Sequence, residues 1–372
     1  MHTASQALAI ERQASAQPSL AERVSRPKTR AILGLMRLNF LSVALMTMQV
    51  DAAKLDAAQE TIAALLKLAQ DHQDVVGVVL ATAKSASLMA LGGKSEAAVA
   101  QLGALESAAL RTADPHTLWR FYFVLGSAQL TLGRFEIALE HTLKSLQYAK
   151  EMSKRAPVAH LTSLNLLGNV YMAMTNWDKA LQVMEEGLVL ADAIGSTRLK
   201  GTLHLNQGAV FANLGRPRDS VAAYGKALAI GREAALVGLQ GTALNNIGDN
   251  YLISKDYPRA EVFARQALDK YREAGEWGGV ATARSNIGFA LMGQGKIREG
   301  DAEVRAALRQ SQESGAKADQ EAILGELGRM YEQAGLYREA VATIREQQTL
   351  SAQLFRADRE KSVAALQEQF DT

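Results

Sequence analysis

The sequence predicts an all-α protein: a right-handed superhelical α-solenoid of about eight helix-turn-helix units filling residues 31–350. Three observations predict it. First, Gly168, Gly208, Gly248, Gly288 and Gly328 recur every 40 residues, each followed three positions on by a large residue, and a period of that size marks a stacked repeat. Gly126, Ala86 and Met46 carry the register upstream, so units centre near residues 46, 86, 126, 168, 208, 248, 288 and 328. Second, Pro115 and Pro157 each stand 11 residues before their unit's Gly. A first helical turn tolerates proline there, because its missing N–H would have had no partner anyway. Pro217 and Pro258 fall near the starts of second helices, and none of these prolines interrupts a helix interior. Third, helix-forming Leu and Ala dominate, while aromatic residues make up only 6% of the chain.

Taken in order, residues 1–30 hold Arg12, Arg23, Arg26, Lys28 and Arg30 beside Pro18 and Pro27. They contain no apolar stretch of leader-peptide length and read as a mobile N-terminal arm. The segment 31–50 is apolar but includes Arg37, Asn39 and Gln49, which favours a buried capping helix over a membrane span. The solenoid follows. From Arg338 to Phe370 the chain has neither Gly nor Pro, so the last unit can run on into a connector helix over 351–372. Val363, Leu366 and Phe370 fall three and four apart there, the spacing of a short apolar seam suited to a homodimer.

One repeat reads Asn165, Leu166, Leu167, Gly168, Asn169, Val170, Tyr171, then Asn176, Trp177, Asp178, Lys179, Ala180. Another reads Asn246, Ile247, Gly248, Asp249, Asn250, Tyr251, then Asp256, Tyr257, Pro258, Arg259, Ala260. This pattern resembles the tetratricopeptide repeat (TPR), specifically from about residue 80 to 350. The resemblance implies two crossing helices per unit, with small residues where the backbones approach. Ser220 and Gly300 depart from the second-helix Ala, Thr175 and Lys255 replace the turn Gly, and the copy around Met46 is degenerate. A 40-residue period is similar to the long-repeat subgroup of peptide-sensing bacterial regulators and cell-polarity scaffolds.

Charge and composition narrow the function. A formal net charge of +2 without basic blocks gives no electrostatic reason for nucleic-acid binding. The chain has no cysteine, which suits a cytoplasmic location and equally a periplasmic one reached through a removed leader. His2, His72, His116, His141, His160 and His204 include no pair at zinc-binding spacing, so no metal and no cofactor are expected. Leu91-Gly92-Gly93-Lys94-Ser95 has the ending of a phosphate loop, but the earlier glycine is Leu88, and Gly93 lies 40 residues before Gly133 in the turn register. No pair of carboxylates stands out as an acid and base, and the chain is read as non-catalytic.

A polar ladder is the distinctive feature. Asn206, Asn246 and Asn286 stand two residues before their unit's Gly, and Thr162, Thr202, Thr242 and Thr282 stand six before. Positions four apart share a helix face, so these form rungs on one side, joined further along by Asn169, Asp249 and Asn213. The TPR resemblance implies that this face lines a concave channel where asparagines bond the backbone of an extended peptide. The same register also suits hydrogen bonds between neighbouring helices. Three rungs at about 1 kcal/mol each fall short of the roughly 8 kcal/mol of micromolar binding, so further side-chain pockets are needed. Tyr171, Phe211, Tyr251 and Phe289 are candidates, although the first three occupy the family's helix-packing position; Lys84 and Arg120 can place positive charge near the N-terminal end.

The last fourteen residues, Arg359 to Thr372, resemble the connector that joins TPR units to a diguanylate cyclase (GGDEF) or histidine kinase domain in bacterial signalling proteins. The expected function is therefore a protein- or peptide-binding sensory module of such a protein, its output domain following the C-terminus. A stand-alone scaffold or adaptor and a quorum-type peptide-sensing regulator are the alternatives.

Overall fold

The computed structural model describes residues 52–314 and 316–371, with side chains described for 58–314, 316–356 and 359. The expected arm at 1–30 and the copy around Met46 lie outside the described residues, as do the side chains of Val363, Leu366 and Phe370. Among the described residues there are sixteen helices and no strand. They fall into two compact units, divided between residues 174 and 175.

The first unit holds α1 (Ala52–Asp71), α2 (Val75–Leu91), α3 (Ser95–Gly103), α4 (Glu106–Arg111), α5 (Pro115–Thr131), α6 (Phe135–Glu151) and α7 (Pro157–Ala173). Helices α2, α5 and α7 start where the sequence supplies a cap or a proline. Asp74 accepts a hydrogen bond from the Gly77 amide at 3.0 Å, and Asp114 accepts one from the Thr117 amide at 2.8 Å, just ahead of Pro115. A single second helix is expected after α2, but α3 ends at Gly103 and α4 begins only at Glu106. A Cβ at Gly103 would meet nothing within 4 Å, so no packing requires glycine there, and its backbone freedom weakens the helix. The core gathers Val79, Leu102, Leu118, Phe121 and Tyr122, and Phe121 is fully buried. Burying a side chain of that size contributes roughly 2–3 kcal/mol.

The second unit holds α8 (Trp177–Ile194), α9 (Thr197–Asn213), α10 (Pro217–Glu233), α11 (Val237–Ile253), α12 (Tyr257–Ala274), α13 (Trp277–Gly293), α14 (Ile297–Glu313), α15 (Lys317–Gln333) and α16 (Tyr337–Asp371). Each helix packs on the next. In addition, the first helices of successive repeats touch one another, α9 with α11, α11 with α13, and α13 with α15. One wall of this unit is thus built from first helices alone. Leu244, Ile247, Leu268, Tyr271 and Ile287 fill one stretch of core, and Phe289, Val304, Leu308, Leu327 and Tyr331 the next.

Close crossings explain the small residues of the pattern. A Cβ added to Gly288 would lie 2.6 Å from the Gly300 carbonyl oxygen, and one added to Gly300 would lie 2.5 Å from that of Gly288. Gly300 thus replaces the usual Ala because α13 and α14 approach more closely than a methyl group allows. Ser220, the other departure, is fully buried and donates to the Gly208 carbonyl at 2.8 Å, linking α10 to α9. Turns within repeats use a left-handed residue: Gly93, Gly133, Gly215, Gly295 and Gly335 all have φ between 68° and 82°, and Thr175 and Lys255 adopt it at 54° and 61°. A second left-handed position recurs between repeats, at Gln73, Ala113, Gly195, Ala235 and Gly275.

Candidate functional site

The threonines of the ladder share one local arrangement. Each hydroxyl donates back to the carbonyl four residues earlier: Thr162 to Val158, Thr202 to Arg198 at 3.2 Å, Thr242 to Gly238 at 3.1 Å and Thr282 to Gly278 at 3.2 Å. Their donor capacity is thus used within the helix, leaving oxygen lone pairs for any ligand. Asn213 behaves similarly, because its exposed amide donates to the Ala209 carbonyl at 2.9 Å.

The asparagines divide. Asn286 on α13 is buried, and its Nδ2 donates to Asn245 Oδ1 at 3.0 Å and to Asp249 Oδ1 at 2.6 Å, both on α11. It therefore serves as a tie between first helices of adjacent repeats. Asn245 in turn donates to the second oxygen of Asp249 at 3.3 Å. Burial pushes the Asp249 carboxyl up to about 6, against the Asn286 hydrogen bond that favours its ionised form. Asn246 is half-buried and hydrogen-bonds the Tyr224 hydroxyl, while Thr242 hydrogen-bonds that of Tyr271. Asn206 on α9 is half-buried as well. Asn169 and Thr162, on α7 of the first unit, are half-buried.

The aromatic candidates sit mostly in packing. Tyr251 stacks on Phe263 with ring centroids 5.5 Å apart and carries the Arg259 guanidinium at 5.6 Å. Phe289 is buried in the core, and Phe211, half-buried like Tyr171, lies under Arg216 at 4.7 Å.

In the first unit, Lys84 on α2 is only 8% exposed and its Nζ has no hydrogen-bond partner among the described residues. Burial, reinforced by the Arg120 charge, brings its ammonium down to about 7. Arg120, on the neighbouring first helix α5, lies over the Trp119 ring at 4.9 Å. His116, one turn earlier, lies 5.5 Å from that ring and is held below its ordinary value by burial and then by Arg120.

Sequence reasoning passed over Asn245, Asn250, Tyr224 and His116. Asn250 is buried and donates to Ser220 Oγ at 3.1 Å. Its signal was the Ser220 departure itself: a hydroxyl in place of a methyl needs polar company. Among the described residues no cluster of three His, Cys, Asp or Glu could hold a metal ion, and no helix is long and apolar enough to cross a membrane.

Residues 163–195 and 199–273 each match a family model of the tetratricopeptide repeat. No curated protein matches the chain. Among solved structures, it is similar to the apo form of the quorum sensor NprR from B. thuringiensis, at TM-score 0.64 and 14% identity, over 94% of this chain and 95% of that one. It is also similar to PH0952 from Pyrococcus horikoshii, a signal transduction ATPase with numerous domains and a tetratricopeptide repeat sensor, at TM-score 0.65 and 15% identity, over 92% of this chain and 50% of that one. A Rap protein complexed with competence and sporulation factor superposes at TM-score 0.59 and 13% identity, over 89% of this chain and 99% of that one. Residues 163–195 and 199–273 thus carry tetratricopeptide repeats, and the fold is similar to that of solved TPR structures.

Proposed function

We propose that the protein binds an extended peptide, or a peptide-like segment of a partner protein, along the first-helix wall of its repeats. The observation that carries this reading is the side-by-side packing of α9, α11 and α13, which gathers Asn206, Asn246 and Asp249 with the lone pairs of Thr202, Thr242 and Thr282 on successive first helices. A wall of amide donors and oxygen acceptors at regular intervals suits the regularly spaced carbonyls and N–H groups of an extended chain. Supporting it, NprR is described as a quorum sensor and the Rap protein is seen with competence and sporulation factor. Within this reading Asn286 acts from beneath, holding Asn245 and Asp249 in place.

The finer reading makes this a cytoplasmic sensory region. A GGDEF cyclase or histidine kinase domain would follow Thr372, and pairing of Val363, Leu366 and Phe370 would join two copies. A quorum-type peptide-sensing regulator is the second reading, favoured by the similarity to NprR along most of both chains.

Panning a random peptide library on the whole protein and measuring the selected peptides by calorimetry tests the binding claim. Asn206→Ala and Asn246→Ala should each weaken binding about tenfold, the effect of roughly 1.4 kcal/mol, with circular dichroism unchanged. Peptides that bind both variants as tightly as the parent would remove the wall as the recognition surface.

A further inference from the structure

A cleft of about 640 Å³ opens in the second unit between α12, the start of α13 and α14, where Arg272, Trp277, Val280, Arg284, Ala306 and Arg309 line it. It lies on the far side of α13 from the ladder, because Arg284 is two residues from both Thr282 and Asn286, about 200° round the helix from each. The repeat pattern alone does not produce it. The equivalent cleft 40 residues on, between α14, α15 and α16, has Gln312, Gln320, Leu324 and Thr349 in the places of Arg272, Val280, Arg284 and Arg309, and holds about 260 Å³. One repeat earlier the same places carry Arg232, Gln240, Leu244 and Asp269. Gln240 and Gln320 bridge their gaps, donating to the Gly231 and Ser311 carbonyls at 2.9 Å. Val280 has no group to do so. Leu244 and Leu324 are buried, whereas the middle repeat puts a guanidinium in their place. The Arg284 Nε is buried without a hydrogen bond among the described residues, and Glu303 stands 3.3 Å from it as an ion pair. Both departures weaken packing, and both widen the same gap. At its rim Arg272 and Arg309 are exposed, and Glu313 is the one carboxylate of the lining. Trp277 is 62% exposed, its backbone held by Gln310, which donates to the Trp277 carbonyl at 2.7 Å.

We propose that this cleft is a second binding site, separate from the first-helix wall, for a small aromatic acid: a flat apolar ring carrying a carboxylate or phosphate group. Three guanidinium groups against one lining carboxylate select an anion, and each guanidinium presents paired N–H donors that match the edge of a carboxylate or phosphate. Val280, Ala306 and the Trp277 ring supply apolar surface for the body of the ligand, and flat rings lie well against indole and guanidinium planes. The volume is far more than one inorganic anion fills and falls in the range of small-molecule sites. The inference goes beyond the peptide-binding reading and does not depend on it.

Calorimetric titration of the full chain with 1-naphthoate, 1-naphthyl phosphate and the neutral 1-naphthamide tests it. Saturable binding of at least one acid, one molecule per chain, is expected, with the amide at least tenfold weaker. Arg272→Gln and Arg309→Gln, at exposed positions, should each weaken acid binding about tenfold with circular dichroism unchanged. Arg284→Leu restores the residue of the neighbouring repeats, so it should abolish acid binding while raising the unfolding temperature. An arginine that serves only the Glu303 ion pair would do the opposite, losing stability on replacement and leaving acid binding intact. Preference for the naphthoate identifies a carboxylate ligand and preference for the phosphate a phosphorylated one; either supports the site. The proposal is overturned if neither acid binds saturably, if the amide binds as tightly, or if all three arginine variants bind the acids as the parent does. Loss of acid binding in Asn206→Ala or Asn246→Ala would place the acids on the first-helix wall and also overturn it. Peptides selected on the wall should bind Arg309→Gln as tightly as the parent, so that failure of either site leaves the other standing.

Discussion

At Asp249 a carboxylate is held where its ionised form is costly. With its carboxyl at about 6 rather than the ordinary 3.8, the folded protein binds this proton more readily than the unfolded chain does. The neutral-acid stabilisation is complete below about pH 4 and is lost as the pH rises through 6. Asp249→Asn should therefore raise stability at pH 7.5 by about 1–2 kcal/mol, after allowance for one acceptor lost to Asn245, and the advantage should vanish near pH 4. Thermal unfolding of both proteins across that range measures it; a constant difference would deny the buried carboxylate its role. Lys255 offers a second single-residue case. Its φ of 61° is unfavourable for a residue with a Cβ, and Lys255→Gly should stabilise by about 0.5–1 kcal/mol in urea titration once the greater freedom of unfolded glycine is discounted. The substitution of Gly by Lys in the turn register made this strain legible from sequence. The equivalent strain at Ala235 was not, because only Gly195 and Gly275 mark that second register among the described residues. Asn245 was missed for a similar reason: one residue off the ladder, it meets Asn286 only because α11 and α13 lie side by side.

Between helices, the glycines of a single register do different work. At Gly288 an added Cβ would press on the Gly300 carbonyl at 2.6 Å and the Val304 amide at 3.0 Å, so Gly288→Ala should cost about 2–3 kcal/mol. At Gly248 the nearest atoms would be 3.5 Å away, an ordinary contact, and Gly248→Ala should be neutral or stabilise by up to about 1 kcal/mol through helix propensity. Chemical denaturation of the two variants separates them, and equal losses would show that the α13–α14 crossing is no tighter than that of α11 and α12. The described helix pairs were readable because most turn glycines and second-helix alanines follow the 40-residue period, with Thr175, Lys255, Ser220 and Gly300 as departures. How closely each pair crosses was not, because it depends on the partner helix: Gly288 meets Gly300, whereas Gly248 meets Ala260 and Ala264. The break between α3 and α4 was equally hidden, as Gly103 stands outside any register the other repeats share.

Within each unit, stability comes from neighbour-to-neighbour packing of repeats, and among the described residues no group of three His, Cys, Asp or Glu could hold a metal ion. Adding a chelator such as EDTA should leave the unfolding temperature unchanged within about 1 °C, whereas a saturating ligand should raise it by mass action, by about 2.7 kcal/mol at a hundred times its Kd. An EDTA-induced drop would require a metal site outside the described residues. Repetition also made the whole more legible than its parts, because a signal too weak in one unit becomes clear over many. The candidate site profits less. Its asparagines were visible as a pattern, but whether each amide serves a ligand or a neighbouring helix depends on contacts between repeats.

The left-handed turn residues carry a last consequence. Gln73, Ala113, Thr175, Ala235 and Lys255 each hold the chain in a conformation their side chains resist. Heating or a protease should therefore find its first openings at these bends while the rods between them stay wound, and trypsin has a cleavable residue waiting at Lys255.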